Sequence, residues 1–129
     1  MDSADVELVR SSFEALNRRD LDAILAHFHP DVVFDATRIM EGTYTGRAEY
    51  RRFLDELFQA SELHWDATSI LSAGDHVAVI ARVSGFGSAS EAPMQRRFAF
   101  RYWVEDGLIR RQEVHPDVDA VRNELEEGA

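Results

Sequence analysis

At 129 residues, with 45% hydrophobic and 29% charged side chains, the chain has the size and composition of one ordinary globular domain, neither polar enough for disorder nor apolar enough for a membrane protein. A net charge of −10 argues against nucleic acid and membrane surfaces as partners, and the lack of cysteine and lysine removes disulfides, thiolate chemistry, Schiff bases and a phosphate-gripping lysine. No apolar run reaches bilayer length, and Met1 to Asp5 has neither the basic start nor the apolar stretch of a signal peptide, so one cytoplasmic domain over residues 1–129 is expected.

In chain order, Val6, Val9, Phe13 and Leu16 recur at three- and four-residue steps behind an acidic first turn, which predicts a first helix. Asp20 reads as the N-cap of a second helix with the stripe Leu21, Ile24, Leu25 and Phe28, stopped at His29 because the residue before Pro30 avoids helical angles. Asp31 to Thr37 alternates as a strand. After a loop holding Gly42 and Gly46, the positions Tyr50, Phe53, Leu54 and Leu57 predict a third, amphipathic helix from Arg47 to Gln59.

From Leu63 onward the pattern is of strands. Leu63–Ser72 and His76–Gly85 flank a Gly74-Asp75 turn, and Gln95–Val104 and Leu108–His115 flank Asp106-Gly107, both hairpin signals. Gly85 to Pro93 reads as the loop between the hairpins, and Val118, Val121 and Leu125 as a short final helix fraying from Glu126 to Ala129. Helix, helix, strand, helix and then antiparallel strands excludes a doubly wound parallel sheet. The expected class is α+β, with three N-terminal helices on one face of a curved antiparallel or mixed sheet and a short C-terminal helix.

Several strings along this order resemble the NTF2-like superfamily, and within it the SnoaL-like group. They are Ala15-Leu16-Asn17 with Asp20-Leu21-Asp22 and Phe28, His29-Pro30-Asp31-Val32-Val33-Phe34-Asp35, Tyr44-Thr45-Gly46-Arg47, Ala73-Gly74-Asp75-His76-Val77, and Asp106-Gly107-Leu108-Ile109-Arg110 before Glu113-Val114. The resemblance implies a cone-shaped fold with a small-molecule pocket. It leaves function open, because the superfamily includes isomerases, cyclases, epoxide hydrolases, dehydratases and binding modules. The places of the steroid isomerase groups hold Ser12, Ala36 and Phe98 here, and two positions of the epoxide hydrolase Asp-Arg-Asp set hold His76 and Ala78, with Glu113 near the third. The cyclase acid-base position falls near Glu113 or His115.

The candidate proton-moving residues are therefore Asp35, Glu113 and His115. Asp35 reads as a base or as a solvated strand-end carboxylate. For Glu113 and His115 the last hairpin has two registers. A two-residue turn sets Phe100 opposite Glu113 and turns Glu113 and His115 to the aromatic side. A three-residue loop with a bulge at Gly107 sets Phe98 opposite Val114 and Phe100 opposite Gln112, leaving Glu113 outside beside Ala99, Arg101 and Trp103 as a salt-bridge partner of Arg101.

Candidate binding residues are Phe34, Arg38, Tyr44, Trp65, Phe98, Phe100 and Tyr102. The aromatic ones read as pocket wall or core, and Arg38 as an inward carboxylate or enolate clamp or an exposed loop arginine. His27 with His29 and His64 with His76 do not reach metal-ligand spacing, and Gly85-Phe86-Gly87 lacks the strand-to-helix context of a dinucleotide loop, so neither metal nor cofactor is assigned. Arg96, Arg97, Arg101, Arg110 and Arg111 read as a solvated or subunit-facing stripe, and Trp103 on the outer sheet face predicts a homodimer. The expected partner is a small apolar or carbonyl-containing ligand. It is either turned over by metal-free acid-base isomerisation, cyclisation or dehydration, or simply held by a non-catalytic binding or dimerisation module.

Overall fold

The computed structural model describes residues 3–40, 42–87 and 93–127. Helix α1 (Ser3–Arg18) buries Val9 and Phe13, and the short α2 (Leu21–Leu25) is opened by the Asp20 carboxylate accepting from the Ala23 N–H. Helix α2 ends three residues before the expected Phe28. The His27 carbonyl accepts from the Ile109 N–H at 2.9 Å, which draws the chain into strand β1 (Phe28–Asp35) with Phe28 paired to Ile109. Ladder hydrogen bonding has won there over helical periodicity.

The segment read as a loop contains a three-residue strand, β2 (Thr43–Thr45), antiparallel to the end of β1. Helix α3 (Arg47–Ala60) follows as expected, burying Tyr50 and Leu54. The long strands β3 (Ser61–Ser72), β4 (Val77–Gly87) and β5 (Met94–Glu105) and the shorter β6 (Leu108–His115) form an antiparallel meander, and α4 (Val118–Glu127) closes the chain. Of the expected Gly85–Pro93 loop, residues 88–92 lie outside the described residues, as do 128 and 129 of the expected fray.

The six strands lie in the order β2-β1-β6-β5-β4-β3. The sheet is mixed, since β1 runs parallel to β6 while every other pair is antiparallel. One face carries the core, where α1 and α3 cover Val32 and Phe34 of β1, Val114 of β6, Phe100 and Tyr102 of β5, and Val79, Ala81 and Val83 of β4. On the opposite face Ala78, Ile80 and Ala99 are buried, and α4, with buried Val118 and Val121, packs against β5. The Asp117 carboxylate caps α4 by accepting from the Ala120 N–H.

The last hairpin follows neither expected register along its whole length. Asp106 (φ 54°) and Gly107 (φ 76°) form a two-residue left-handed turn, pairing Glu105 with Leu108 and Val104 with Ile109. Arg110 is then an extra residue on β6, and the ladder resumes with Trp103 opposite Arg111, Arg101 opposite Glu113 and Phe100 opposite Val114. Because side chains alternate along a strand, one bulged residue exchanges the faces. Gln112 and Val114 join Phe100 on the helix-covered face, while Glu113 and His115 go outside with Arg101 and Trp103.

Candidate functional site

The inner face encloses a cavity of about 190 Å³ between α1, α3 and the sheet. Helical spacing aims Tyr50, Phe53, Leu54 and Leu57 of α3 into it, and strand alternation supplies Phe34, Trp65, Phe98, Phe100 and Tyr102 from the other side. Ile39 and Met40, 38% and 40% exposed, belong to the same wall and mark where it meets solvent. The cavity is somewhat larger than the apolar void of about 150 Å³ that accepts a benzene ring in another protein.

Trp65 is held from behind by Asn17. The Asn17 side-chain amide donates to the Trp65 carbonyl and accepts from the Trp65 N–H, both at 2.8 Å, as a neighbouring strand would. Tyr44 does not line the cavity; it supports the wall, its ring 4.8 Å from Phe53 and 6.0 Å from Phe34.

A single polar chain crosses the wall. Tyr50 Oη donates to Gln112 Oε1 at 2.9 Å, and Gln112 Nε2 donates to Tyr102 Oη at 3.3 Å. All three residues are buried, and desolvation pushes both phenols above their ordinary pKa, in Tyr102 with a further contribution from Tyr50. They are neutral hydroxyls at any ordinary pH. Among the described residues of the wall there is no Asp, Glu, His, Arg or Lys.

The ionisable candidates meet on the opposite face. Asp35, beside Phe34 but of opposite parity, accepts from the Thr37 hydroxyl at 2.6 Å, from the Thr37 N–H at 3.0 Å and from Arg111 at 2.9 Å. The bonds from Thr37 hold Asp35 below its ordinary pKa, with help from the Arg38 and Arg111 charges. Burial works to raise Glu113, but hydrogen bonds from His115 and Arg111 and the charge of Arg38 outweigh it and hold Glu113 below its ordinary value.

His115 Nε2 lies 2.9 Å from Glu113 Oε1; the carboxylate can only accept, so Nε2 carries the proton. Burial lowers the His115 pKa, although the bond to Glu113 opposes it. Arg38 neither points inward nor stands alone, lying 3.7 Å from Asp35 and 3.6 Å from Glu113. Arg101, expected to pair with Glu113, donates instead to Glu124 and to His76 Nε2, because α4 and the β3–β4 turn bring those groups over it.

Asp35, Glu113, His115 and Arg38 are thus brought together with Arg111, but a sheet's thickness away from Phe34, Trp65, Phe98, Phe100 and Tyr102. The outer cluster borders a shallow groove between β5, β6 and α4. Among the described residues no three His, Asp or Glu side chains converge as metal ligands, and no helix is long and apolar enough to cross a membrane.

The model of the SnoaL-like domain matches residues 9–112, from the first helix to the middle of β6. This chain belongs to the SnoaL-like family. The SnoaL-like chain also superimposes on solved structures. One is an NTF2-like protein of unknown function from Burkholderia pseudomallei (TM-score 0.79, 22% identity, covering 97% of this chain and 98% of that one). Another is TerC co-crystallized with polyporic acid (TM-score 0.76, 22% identity, 95% and 98% covered). A third is a hypothetical protein with a ketosteroid isomerase-like fold from Catenulispora acidiphila, in complex with trimethylamine (TM-score 0.78, 21% identity, 93% and 92% covered). These likenesses establish the fold and nothing finer. No curated protein matches the chain.

Two polar wall residues of this SnoaL-like protein, and the aliphatic part of the wall with Phe13 and Phe53, escape sequence reasoning as site residues. Tyr50 reads as one more apolar position of α3, and Gln112 appears only as the residue opposite Phe100 in the bulged register. A signal for Tyr50 existed, since it is the one polar-tipped member of the stripe Tyr50, Phe53, Leu54 and Leu57. For Gln112 the bulged register was the signal, but its face depends on the bulge, which falls at Arg110 and not at Gly107.

Proposed function

We propose that this SnoaL-like protein binds a small, uncharged and largely apolar molecule in the inner cavity and holds it without acid-base turnover there. The carrying observation is the wall itself: aromatic and aliphatic side chains crossed by one chain of neutral polar groups, with the charged residues on the other face. Proton transfer at ordinary pH requires a group that titrates there, and two phenols pushed upward by burial do not. Isomerase, cyclase or dehydratase chemistry inside the cavity would find no carboxylate or imidazole among the described residues of its wall. The co-crystals of TerC with polyporic acid and of the Catenulispora protein with trimethylamine support small-molecule binding by this fold in general.

The test uses tetralin, 1-tetralone, 1-aminotetralin and tetralin-1-carboxylate as probes in calorimetric titration. The neutral pair should bind, and the two ions should bind at least about tenfold more weakly, because an unpaired charge in this wall costs several kcal/mol. Leu57→Trp, which fills the cavity from α3, should weaken the neutral probes by about tenfold or more. Neutral probes that fail to bind, or that bind Leu57→Trp as well as the native chain, would refute the reading.

One observation favours a second reading, in which Asp35, Glu113 and His115 act catalytically. His115 is oriented by Glu113 beside an open groove, an arrangement suited to a general base. Its substrate would then lie on the outer face, and Glu113→Gln would abolish a turnover that Leu57→Trp leaves intact. The expected homodimer belongs to this proposal as well. Trp103 lies half-buried on the outer face with its ring stacked 4.9 Å from His76, and a second copy would complete its cover. Sedimentation equilibrium giving a monomer at micromolar concentration would remove that part.

A further inference from the structure

The polar chain of the cavity carries one more proton than it uses. A side-chain amide has an acceptor at one end and donors at the other. Tyr50 gives its proton to Gln112 Oε1, whereas Tyr102 receives one from Gln112 Nε2 and keeps its own. The group bonded to Tyr102 Oη is Gln112 Nε2, which can only donate. Tyr102 is 3% exposed, so bulk water does not take up the proton either. A buried donor left without a partner is unfavourable. Tyr102 borders two spaces, the inner cavity and one of about 150 Å³ beside Asp5, Asp75 and His76, but Gln112, bonded to the same hydroxyl oxygen, lines the first and not the second, which places the hydroxyl end at the inner cavity.

We infer that Tyr102 Oη is the donor that recognises the ligand, and that the ligand presents a neutral oxygen acceptor, a ketone, quinone or lactone carbonyl, on an apolar frame of one or two rings. This inference rests on the cavity being the binding site, and it adds the chemistry of the molecule that enters.

The alternatives fail on donor and charge count. A carboxylate brings a full charge to a wall with no cation among its described residues, where a single phenol proton replaces little of its hydration. An ammonium ion or a donor-rich molecule meets the donor ends of the chain, not acceptors. A pure hydrocarbon fits the walls but leaves the Tyr102 proton unpaired. A site with a buried polar group discriminates strongly against analogues that cannot pair with it. The aromatic neighbours fix the donor's place: Phe13 lies edge-on to Tyr102 with ring centroids 6.0 Å apart, and Phe100 lies beside it at 6.3 Å.

The test compares 1-tetralone with tetralin, which differ by the carbonyl oxygen, on the native chain, Tyr102→Phe and Tyr50→Phe. On the native chain the ketone should bind about tenfold tighter than the hydrocarbon, the size of one hydrogen bond plus the relief of an unpaired donor. In Tyr102→Phe the preference should fall to about twofold or less while tetralin binds as well as before or better. Tyr50→Phe should retain the preference.

The carbonyl stretch of 1-tetralone bound to the native chain should lie below its frequency in hydrocarbon solvent, a readout that needs no variant. Tetralin bound normally with no ketone preference, a preference surviving Tyr102→Phe, a preference lost in Tyr50→Phe instead, or an unshifted carbonyl stretch would each overturn the inference. Failure of both probes to bind the native chain would overturn the cavity reading and this inference with it.

Discussion

Replacing Gln112 by leucine removes the middle of the polar chain while nearly keeping its volume, so the cost falls on the hydroxyls left behind. Tyr50 is the critical one. It is 4% exposed, it gives its proton to Gln112 at 2.9 Å, and no second acceptor is in place among the described residues. Tyr102 loses only a donor at 3.3 Å. An unsatisfied buried hydroxyl costs about 1–3 kcal/mol, so Gln112→Leu should cost about 2 kcal/mol.

A chain of 129 residues unfolds with an entropy of roughly 0.27 kcal/mol/K at about 2.1 cal/mol/K per residue, which turns 2 kcal/mol into a fall in Tm of about 7 °C. The decisive measurement is a double-mutant cycle. In a Tyr50→Phe background the hydroxyl is already gone, so adding Gln112→Leu should cost less than about 1 kcal/mol, a coupling of at least about 1 kcal/mol. Urea unfolding followed by tryptophan fluorescence reads all four corners. If Gln112→Leu costs the same with and without the Tyr50 hydroxyl, the reasoning about the buried chain is wrong.

Asn17→Ala deletes both bonds to the Trp65 backbone and should cost about 2 kcal/mol, with amide exchange at Trp65 accelerated; unchanged exchange there would show that the amide does not hold β3. Gly85 has φ +135°, and a Cβ built on it would lie 1.9 Å from the Glu62 carbonyl oxygen, whereas Gly74, φ +79°, has nothing within 4 Å. Gly85→Ala should therefore lose about 3 kcal/mol or more in thermal unfolding, against about 1 kcal/mol for Gly74→Ala. Equal losses would contradict the close strand approach.

Folding lowers the pKa of His115, Asp35 and Glu113 below 6.5, 3.8 and 4.5, so each contributes stability that is complete above those values and is lost as the pH falls through the folded ones. Stability should decline first below 6.5 and again in the carboxylate range. Glu113→Gln should flatten the second decline, and an acid limb identical to that of the native chain would exclude Glu113 as a contributor.

Much of the architecture was legible in the sequence because it rests on local periodicity. The stripe of α3, the caps at Asp20 and the turn at Asp106-Gly107 are written in neighbouring residues, and so is the division of β5 into Phe98, Phe100 and Tyr102 against Ala99, Arg101 and Trp103. That was enough to name five aromatic residues of the cavity wall. The early end of α2 at Leu25 was not legible, because it is set by a bond from Ile109, far along the chain. Nor was β2, three residues long and defined only by pairing with β1.

The faces of Glu113, His115 and Gln112 were settled by the tertiary structure. One extra residue at Arg110 reverses which side of β6 looks inward, and no local preference of Arg110 announces it. The bulge is selected by its consequence: it puts Gln112 and Val114 against the core and leaves Glu113 among arginines, where a carboxylate is held at little cost, with His115 beside it. Sequence determines which residues alternate, but the sign of the alternation belongs to the whole sheet, because only the packed molecule decides which of two faces loses its water.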